Sequence, residues 1–289
     1  MTDTAYYIHQ LDPVLLPLWG PLAIRWYGLA YIAGFVGAYF MLNRWGRQGR
    51  YPLHGEALQA FMVTVVIGVM IGGRLGYLLF YDTAAFLRDP LLFFRLWEGG
   101  MASHGGMIGL AAAAAYAARR QRLSFLALAD GLATVAPLGL GLGRLANFIN
   151  GELWGRITSV RWAVIFPQEA GLYPEMAYTR DTVLMYLERG LLHPRHPSQL
   201  YQAFLEGVVL LALLLWAHRS AWGRVEGRMG GLFLGLYAVV RFFAEFFREP
   251  EITHFGWMTQ GQLLSAMILL PASIYLIART YQPARSARP

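Results

Sequence analysis

Six charged side chains stand in, or at the edge of, apolar stretches of this 289-residue chain: Arg74, Arg144, Glu152, Glu206, Arg241 and Glu245. A charge at bilayer depth costs about 2.5–3.5 kcal/mol or more, so such residues usually face a polar interior and mark function. The densest group lies in "GRLANFINGELWG", Gly143 to Gly155, where an arginine, two asparagines and a glutamate fall within nine residues. On an ideal helix, at about 100° per residue, Arg144 and Asn147 share a face while Asn150 and Glu152 splay away. The four converge only if the helix ends, and Gly151 and Gly155 permit that break. A guanidinium fork fits phosphate through two parallel hydrogen bonds. His104, in "MASHGGMIG", has glycines beside it that open the backbone, and a histidine titrating near neutrality is a candidate general base. Its bland alternative is a structural histidine. Arg241 and Glu245 are four apart on one helix face, an internal ion pair that leaves Arg241 able to meet a ligand as well. Arg74, among Gly72, Gly73 and Gly76, reads equally as a structural pin and as a lipid-phosphate contact.

Three arginines and a histidine around one cavity fit an anionic amphipathic ligand, and in a membrane that is a phospholipid. Two classes stay open on this chemistry: an enzyme that displaces the phosphate-bearing headgroup, and a transporter or flippase that moves the lipid intact. Transporters tend to show inverted repeats with paired broken helices, whereas the two halves of this chain differ in loop length and motif content. The glycines of "PLGLGLGR" lack the Lys-Ser/Thr ending of a nucleotide loop. Gly139 and Gly143, four apart, read as close helix packing. His193 and His196 are flanked by prolines without further acidic ligands, a poor metal site; no metal and no cofactor is expected.

The elements that position these residues are membrane spans. The chain is 56% hydrophobic, 15% aromatic and only 14% charged, against about 25% charged in soluble domains. Apolar runs of roughly 20 residues recur, each long enough for a bilayer core of about 30 Å. We expect an all-α polytopic fold, one integral membrane domain over 1–289, with seven spans near 22–42, 57–80, 101–118, 125–149, 198–217, 230–247 and 259–278. The first span is expected to be retained, because the first 20 residues lack a basic region and hold Asp3, Asp12, Pro13 and Pro17. Arg44, Arg47 and Arg50 follow span one; Arg119, Arg120 and Arg122 follow span three; Arg219, Arg224 and Arg228 follow span five; Arg279, Arg285 and Arg288 follow span seven. The other side holds Asp3, Asp12, Asp82, Asp89, Glu98, Glu249 and Glu251. By the positive-inside rule the N-terminus is outside and the C-terminus cytoplasmic. The net charge of +7 thus follows topology, and no nucleic-acid partner is expected. Residues 1–21 read as an external arm along the interface, and 151–197, with a helix near 176–189, as an external head-like loop region. Such a long loop is usually functional. No cysteine is present, so any thiol nucleophile belongs to a substrate.

The thirteen-residue stretch Gly143–Gly155 resembles the signature of the prolipoprotein diacylglyceryl transferase family. The resemblance continues in order through "RWYGL", "GGRLGYLLFY", "GGMASHGGMIG", "RHPSQLY" and "YAVVRFFAEFFREP", covering essentially the whole chain. One departure is visible: members commonly read Tyr-Glu after "HPSQL", and here Tyr201 is followed by Gln202, which shifts weight to Glu206. The resemblance implies a bacterial inner-membrane enzyme that moves diacylglyceryl from phosphatidylglycerol to the lipobox cysteine of a prolipoprotein signal peptide, on the outer side. Its partners are then phosphatidylglycerol, these precursors and membrane lipids. It also implies roles: Arg144 and Arg241 for the phosphate and leaving group, His104 as base, Tyr27, Asn147, Asn150 and Glu152 for the headgroup, Tyr237 and Glu245 as support, and Gly155 at the turn; Arg74, from its own surroundings, stays a candidate lipid contact beside them.

Overall fold

Among the described residues seven helices of 17 to 26 residues lie where apolar runs recur. They are α1 (Trp26–Arg47), α2 (Gly55–Phe80), α4 (Ser103–Gln121), α5 (Phe125–Asn150), α7 (Ser198–Arg219), α8 (Arg228–Ala244) and α9 (Gln260–Arg279). Two short helices, α3 (Thr83–Arg88) and α6 (Arg180–Glu188), lie between them. The computed structural model describes residues 6–19, 22–176, 178–250, 253–254 and 257–281. Asp3, Glu251, Arg285 and Arg288, named above for topology, lie outside the described residues. Among the described residues α2, α5, α7 and α9 are long and apolar enough to cross a membrane, and large side chains such as Phe40, Val63, Ile108, Trp216 and Ile274 point outward, each more than half exposed. That outward apolar coat is what lipid contact requires.

Glycine lets the helices meet backbone to backbone. Gly68, Gly72 and Gly76 of α2 face Gly105 and Gly109 of α4, where a Cβ on Gly109 would stand 1.9 Å from the Gly68 carbonyl oxygen. Small residues gain van der Waals contact where lipid offers no hydrophobic drive. The packing expected of Gly139 and Gly143 is carried differently. Gly139 meets Gly34 and Gly141 meets Gly207, while a Cβ on Gly143 would find open space. Behind these contacts α1, α2, α4 and α5 bury one apolar core around Leu42, Leu58, Phe61, Val65, Leu128 and Val135.

Strands modify the all-helical expectation. Val14–Trp19 (β2) pairs antiparallel with Leu22–Arg25 (β3), so the first helix begins at Trp26 rather than near 22. Pro13 and Pro17 disfavour helix there. The hairpin is apolar and exposed, with Trp19 88% accessible, as an interfacial element should be. Earlier in the arm, Tyr7–Ile8 (β1) leaves that surface and pairs with Val164–Ile165 (β4), which pairs with Pro194–Arg195 (β5). Residues 151–197 thus share a small sheet with the arm, and α6 packs Val183 against Ile165 and Leu192 beneath it.

Candidate functional site

The C-terminal turn of α5 organises the site. Gly151 caps the helix in the left-handed conformation (φ 65°) and Leu153 follows at φ 57°, a conformation that a branched residue seldom adopts and that functional sites retain. The reversal folds Glu152 back under the helix. Its Oε1 accepts from Asn147 Nδ2 at 2.7 Å and from Asn150 Nδ2 at 3.2 Å. Three side chains that splay on an ideal helix therefore meet at one carboxylate. Gln199 of α7 donates to the Glu152 backbone carbonyl at 2.7 Å, and Tyr27 of α1 lies in interaction distance of Asn147 and Glu152. Asn150 Oδ1 and Gln199 Oε1 are buried acceptors without a partner. Buried polar atoms are nearly always satisfied, so these two acceptors stand out as open to a donor.

Two turns before the cap, α5 presents Arg144 to Glu206. That glutamate lies in a π-helical stretch of α7, Ala203–Val209, a distortion that recurs at functional positions. Glu206 is fully buried, and its two oxygens take different arginines: Arg144 Nε at 3.0 Å and Arg241 Nη1 at 3.4 Å. Arg241, on α8, also pairs with Glu245 at 2.5 Å, and Glu245 with Arg248 at 3.4 Å. Tyr237, one turn before Arg241, hydrogen-bonds Arg144 and lies within the field of Glu206 and Arg241. The carboxylates are sealed, at 0% and 2% exposure, whereas the arginines keep 16% and 12%. The cations thus form the accessible face and the acids their backing.

Gly155 does not make the turn, which belongs to Gly151 and Leu153. Its backbone runs between two others: a Cβ there would stand 2.5 Å from both the His196 and Phe247 carbonyl oxygens. Gly155 N donates to His196 O at 2.9 Å, and Arg195 Nη1 donates to Gly155 O at 3.0 Å. Arg195 further pairs with Glu169 at 2.5 Å and Glu249 at 3.0 Å, which ties the 151–197 segment to the end of α8. Burial alone would raise the Glu169 carboxyl, but the hydrogen bond and charge of Arg195 outweigh it and hold the group below its ordinary range. His9 plugs the same region, fully buried, with Nε2 2.7 Å from Phe148 O and Nδ1 3.2 Å from Gln168 Nε2. Burial pushes its pKa down, the Phe148 carbonyl opposing. His193 and His196 point to separate partners, Glu169 at 3.4 Å and the Tyr201 hydroxyl at 3.1 Å.

Two expected site residues stand apart. Arg74 is 3% exposed and donates to the carbonyls of Leu92, Arg95, Gly99 and Gly100. Those bonds pin the 90–100 loop, so the geometry supports the structural reading over a lipid contact. His104 is exposed in the first turn of α4, and among the described residues no hydrogen bond or ion pair joins it to the arginine network. Glu206 was visible as an intramembrane charge, but its place between two arginines was not, because π-helical stretches leave no clear mark in a sequence. Gln199 and His9 were missed altogether; their only signal is a polar residue in an otherwise apolar neighbourhood.

Apolar helices of membrane length, with charged residues from three of them meeting among the helices, make this a multi-pass membrane protein with a polar site in its interior. A sequence model described as prolipoprotein diacylglyceryl transferase matches residues 13–278, and the chain belongs to that family. It is 45% identical over 267 residues to the phosphatidylglycerol–prolipoprotein diacylglyceryl transferase of Idiomarina loihiensis, covering 91% of this chain and 90% of the relative. The proteins of the same name from Photobacterium profundum and Neisseria gonorrhoeae are 42% and 44% identical. Those matches cover 94% and 91% of this chain, and 95% and 92% of the relatives.

Proposed function

We infer that this chain transfers diacylglyceryl from phosphatidylglycerol to a prolipoprotein, and we propose the lipobox cysteine thiol as acceptor. The sulfur attacks the glycerol carbon that carries the phosphate. A C–S bond forms, the C–O bond to phosphate breaks, its electron pair stays on oxygen, and glycerol phosphate leaves. The thiol proton passes to a base. The observation that carries the reading is the accessible pair Arg144 and Arg241, braced from behind by buried Glu206. The leaving phosphate gains negative charge in the transition state, and fixed donors aimed at developing charge in a dry site contribute several kcal/mol, roughly. Asn147, Asn150 and Glu152 would hold the headgroup glycerol, with Tyr27 beside them. Tyr237 and Glu245 would hold the arginines in place. The direct test is mass spectrometry of a synthetic lipobox peptide incubated with purified protein and phosphatidylglycerol. A diacylglyceryl adduct together with free glycerol phosphate is expected; an unmodified peptide overturns the reading.

His104 is our choice of base for the incoming thiol. Its exposure at the start of α4 leaves the imidazole open to an incoming peptide. A thiol with a pKa of about 8.5 is already a few per cent ionised at neutral pH. His104→Gln should therefore slow transfer at about pH 7 and recover partly at about pH 9. A rate equal to wild type at both values would leave His104 a structural residue.

We further propose seven spans, with the N-terminus and residues 151–197 outside and the C-terminus cytoplasmic, in the bacterial inner membrane. Arginines gather at the ends of α1, α4, α7 and α9, which supports this orientation. A reporter fused to the C-terminus should read cytoplasmic and one inserted near residue 170 external. The reverse pattern would sink the orientation and with it the outer location of the site.

A further inference from the structure

At the end of the bundle remote from Arg144, α1 and α7 finish side by side around a cavity of about 580 Å³. From Glu206 to His218, α7 climbs about 18 Å at 1.5 Å per residue, so this cavity is separate from the site above. Its polar lining among the described residues is Arg44, Gln48, Arg50, His218 and Arg219, with no acid among them. The chain builds it by reversing at the end of α1. Gly49 takes a left-handed conformation (φ 69°), and Arg50 N returns to the Trp45 carbonyl at 2.8 Å. That turn returns Arg50 to the cavity that Arg44 also lines. Neither side chain, nor that of Arg219, forms an ion pair or hydrogen bond with a described residue. His218 lies tilted against buried Trp45 at 4.2 Å between ring centroids, and its Nε2 is buried without a partner.

Arginines at helix C-termini are ordinarily explained by the helix dipole, worth about 0.3–1 kcal/mol each. That account requires neither a shared cavity nor an orphaned imidazole nitrogen. Three arginines lining one cavity with no acid among its described lining repel one another until an anion joins them. Basic pockets between helices at the membrane edge bind phosphate headgroups, and the volume falls in the range of small-ligand sites. We propose that Arg44, Arg50, Arg219 and His218 form a second phosphate-binding site, for an anionic lipid headgroup or a free phosphate. In the orientation proposed above it opens to the cytoplasmic leaflet.

Native mass spectrometry of the detergent-purified protein, titrated with dioleoyl phosphatidic acid, tests this. Wild type should retain one more lipid than Arg50→Ala/Arg219→Ala, and in the double variant that step should weaken by about 10- to 30-fold, since each arginine near a membrane surface contributes roughly a factor of five. Arg47→Ala, which removes an exposed arginine outside the lining, should match wild type. Isothermal titration with inorganic phosphate separates the sources. Heat lost only in the double variant assigns a soluble anion, whereas lipid retention without phosphate binding assigns the headgroup. Equal lipid and phosphate binding by the double variant and wild type overturns the site. So does equal weakening by Arg47→Ala, which would mean diffuse basic charge. All three arginines are solvent-exposed, and monodispersity in detergent checks that each variant is folded.

Discussion

Arg144→Ala should abolish peptide lipidation, with transfer reduced about 10²–10³-fold, as when one charge-stabilising donor is removed from a catalytic site. The variant should fold. Glu206 keeps a second cation, Arg241 at 3.4 Å, when Arg144 is gone, so the buried carboxylate is not left alone. Arg144→Lys is the sharper probe. Lysine restores the charge but not the planar fork, and the Nε bond to Glu206 at 3.0 Å is made from a position that an ammonium cannot occupy while also reaching a phosphate. Lysine should thus lose most activity despite an unchanged net charge. Phosphatidylglycerol binding should weaken in parallel. The measurement is the rate of adduct formation on a lipobox peptide, with detergent-solution monodispersity as the folding control. A monodisperse Arg144→Ala variant working at the wild-type rate would remove Arg144 from the mechanism.

Element positions were legible because long apolar runs are the strongest signal a sequence carries. The run expected over 125–149 is the helix Phe125–Asn150, and that expected over 198–217 is the helix Ser198–Arg219. The ends that moved did so for local reasons, as where Leu22–Arg25 joins a hairpin instead of a helix. What stayed hidden was long-range pairing between short pieces. Tyr7–Ile8 is only two residues long and its partner Val164–Ile165 lies far along the chain, so no local propensity announces it. At the site, the sequence supplied the polar cluster and the necessity of a helix break after Asn150. It did not supply the division of labour among glycines, since a positive φ at Gly151 and a crowded backbone at Gly155 both read simply as glycine. Arg74 shows the limit plainly. A buried arginine among glycines serves lipid or backbone equally well until the carbonyls of the 90–100 loop are seen around it.

Glu206 is where sequence and geometry differ most in weight, and its substitution should have the second largest effect. It touches no substrate in our reading; it positions the two arginines that do. Glu206→Gln keeps the size of the side chain but replaces the shared anion with an amide, one end of which must face a guanidinium. Removing one partner of a buried ion pair typically costs about 3–5 kcal/mol, because the other charge stays buried and uncompensated. Here the remaining charges are two arginines held 3.0 and 3.4 Å from the same carboxylate, which would then repel each other. Thermal stability should fall, and kcat should fall about 100-fold as the donors leave the place where the phosphate develops charge. KM for phosphatidylglycerol should change less than threefold, since both cations remain in the cavity. A merely structural residue would lower the folded fraction without separating kcat from KM in this way. The double variant Arg144→Ala/Glu206→Gln should be scarcely worse than Arg144→Ala alone, because residues acting as one unit are non-additive. Full additivity of the two losses, or a wild-type kcat in folded Glu206→Gln, would mean that the arginines hold their geometry without the carboxylate between them.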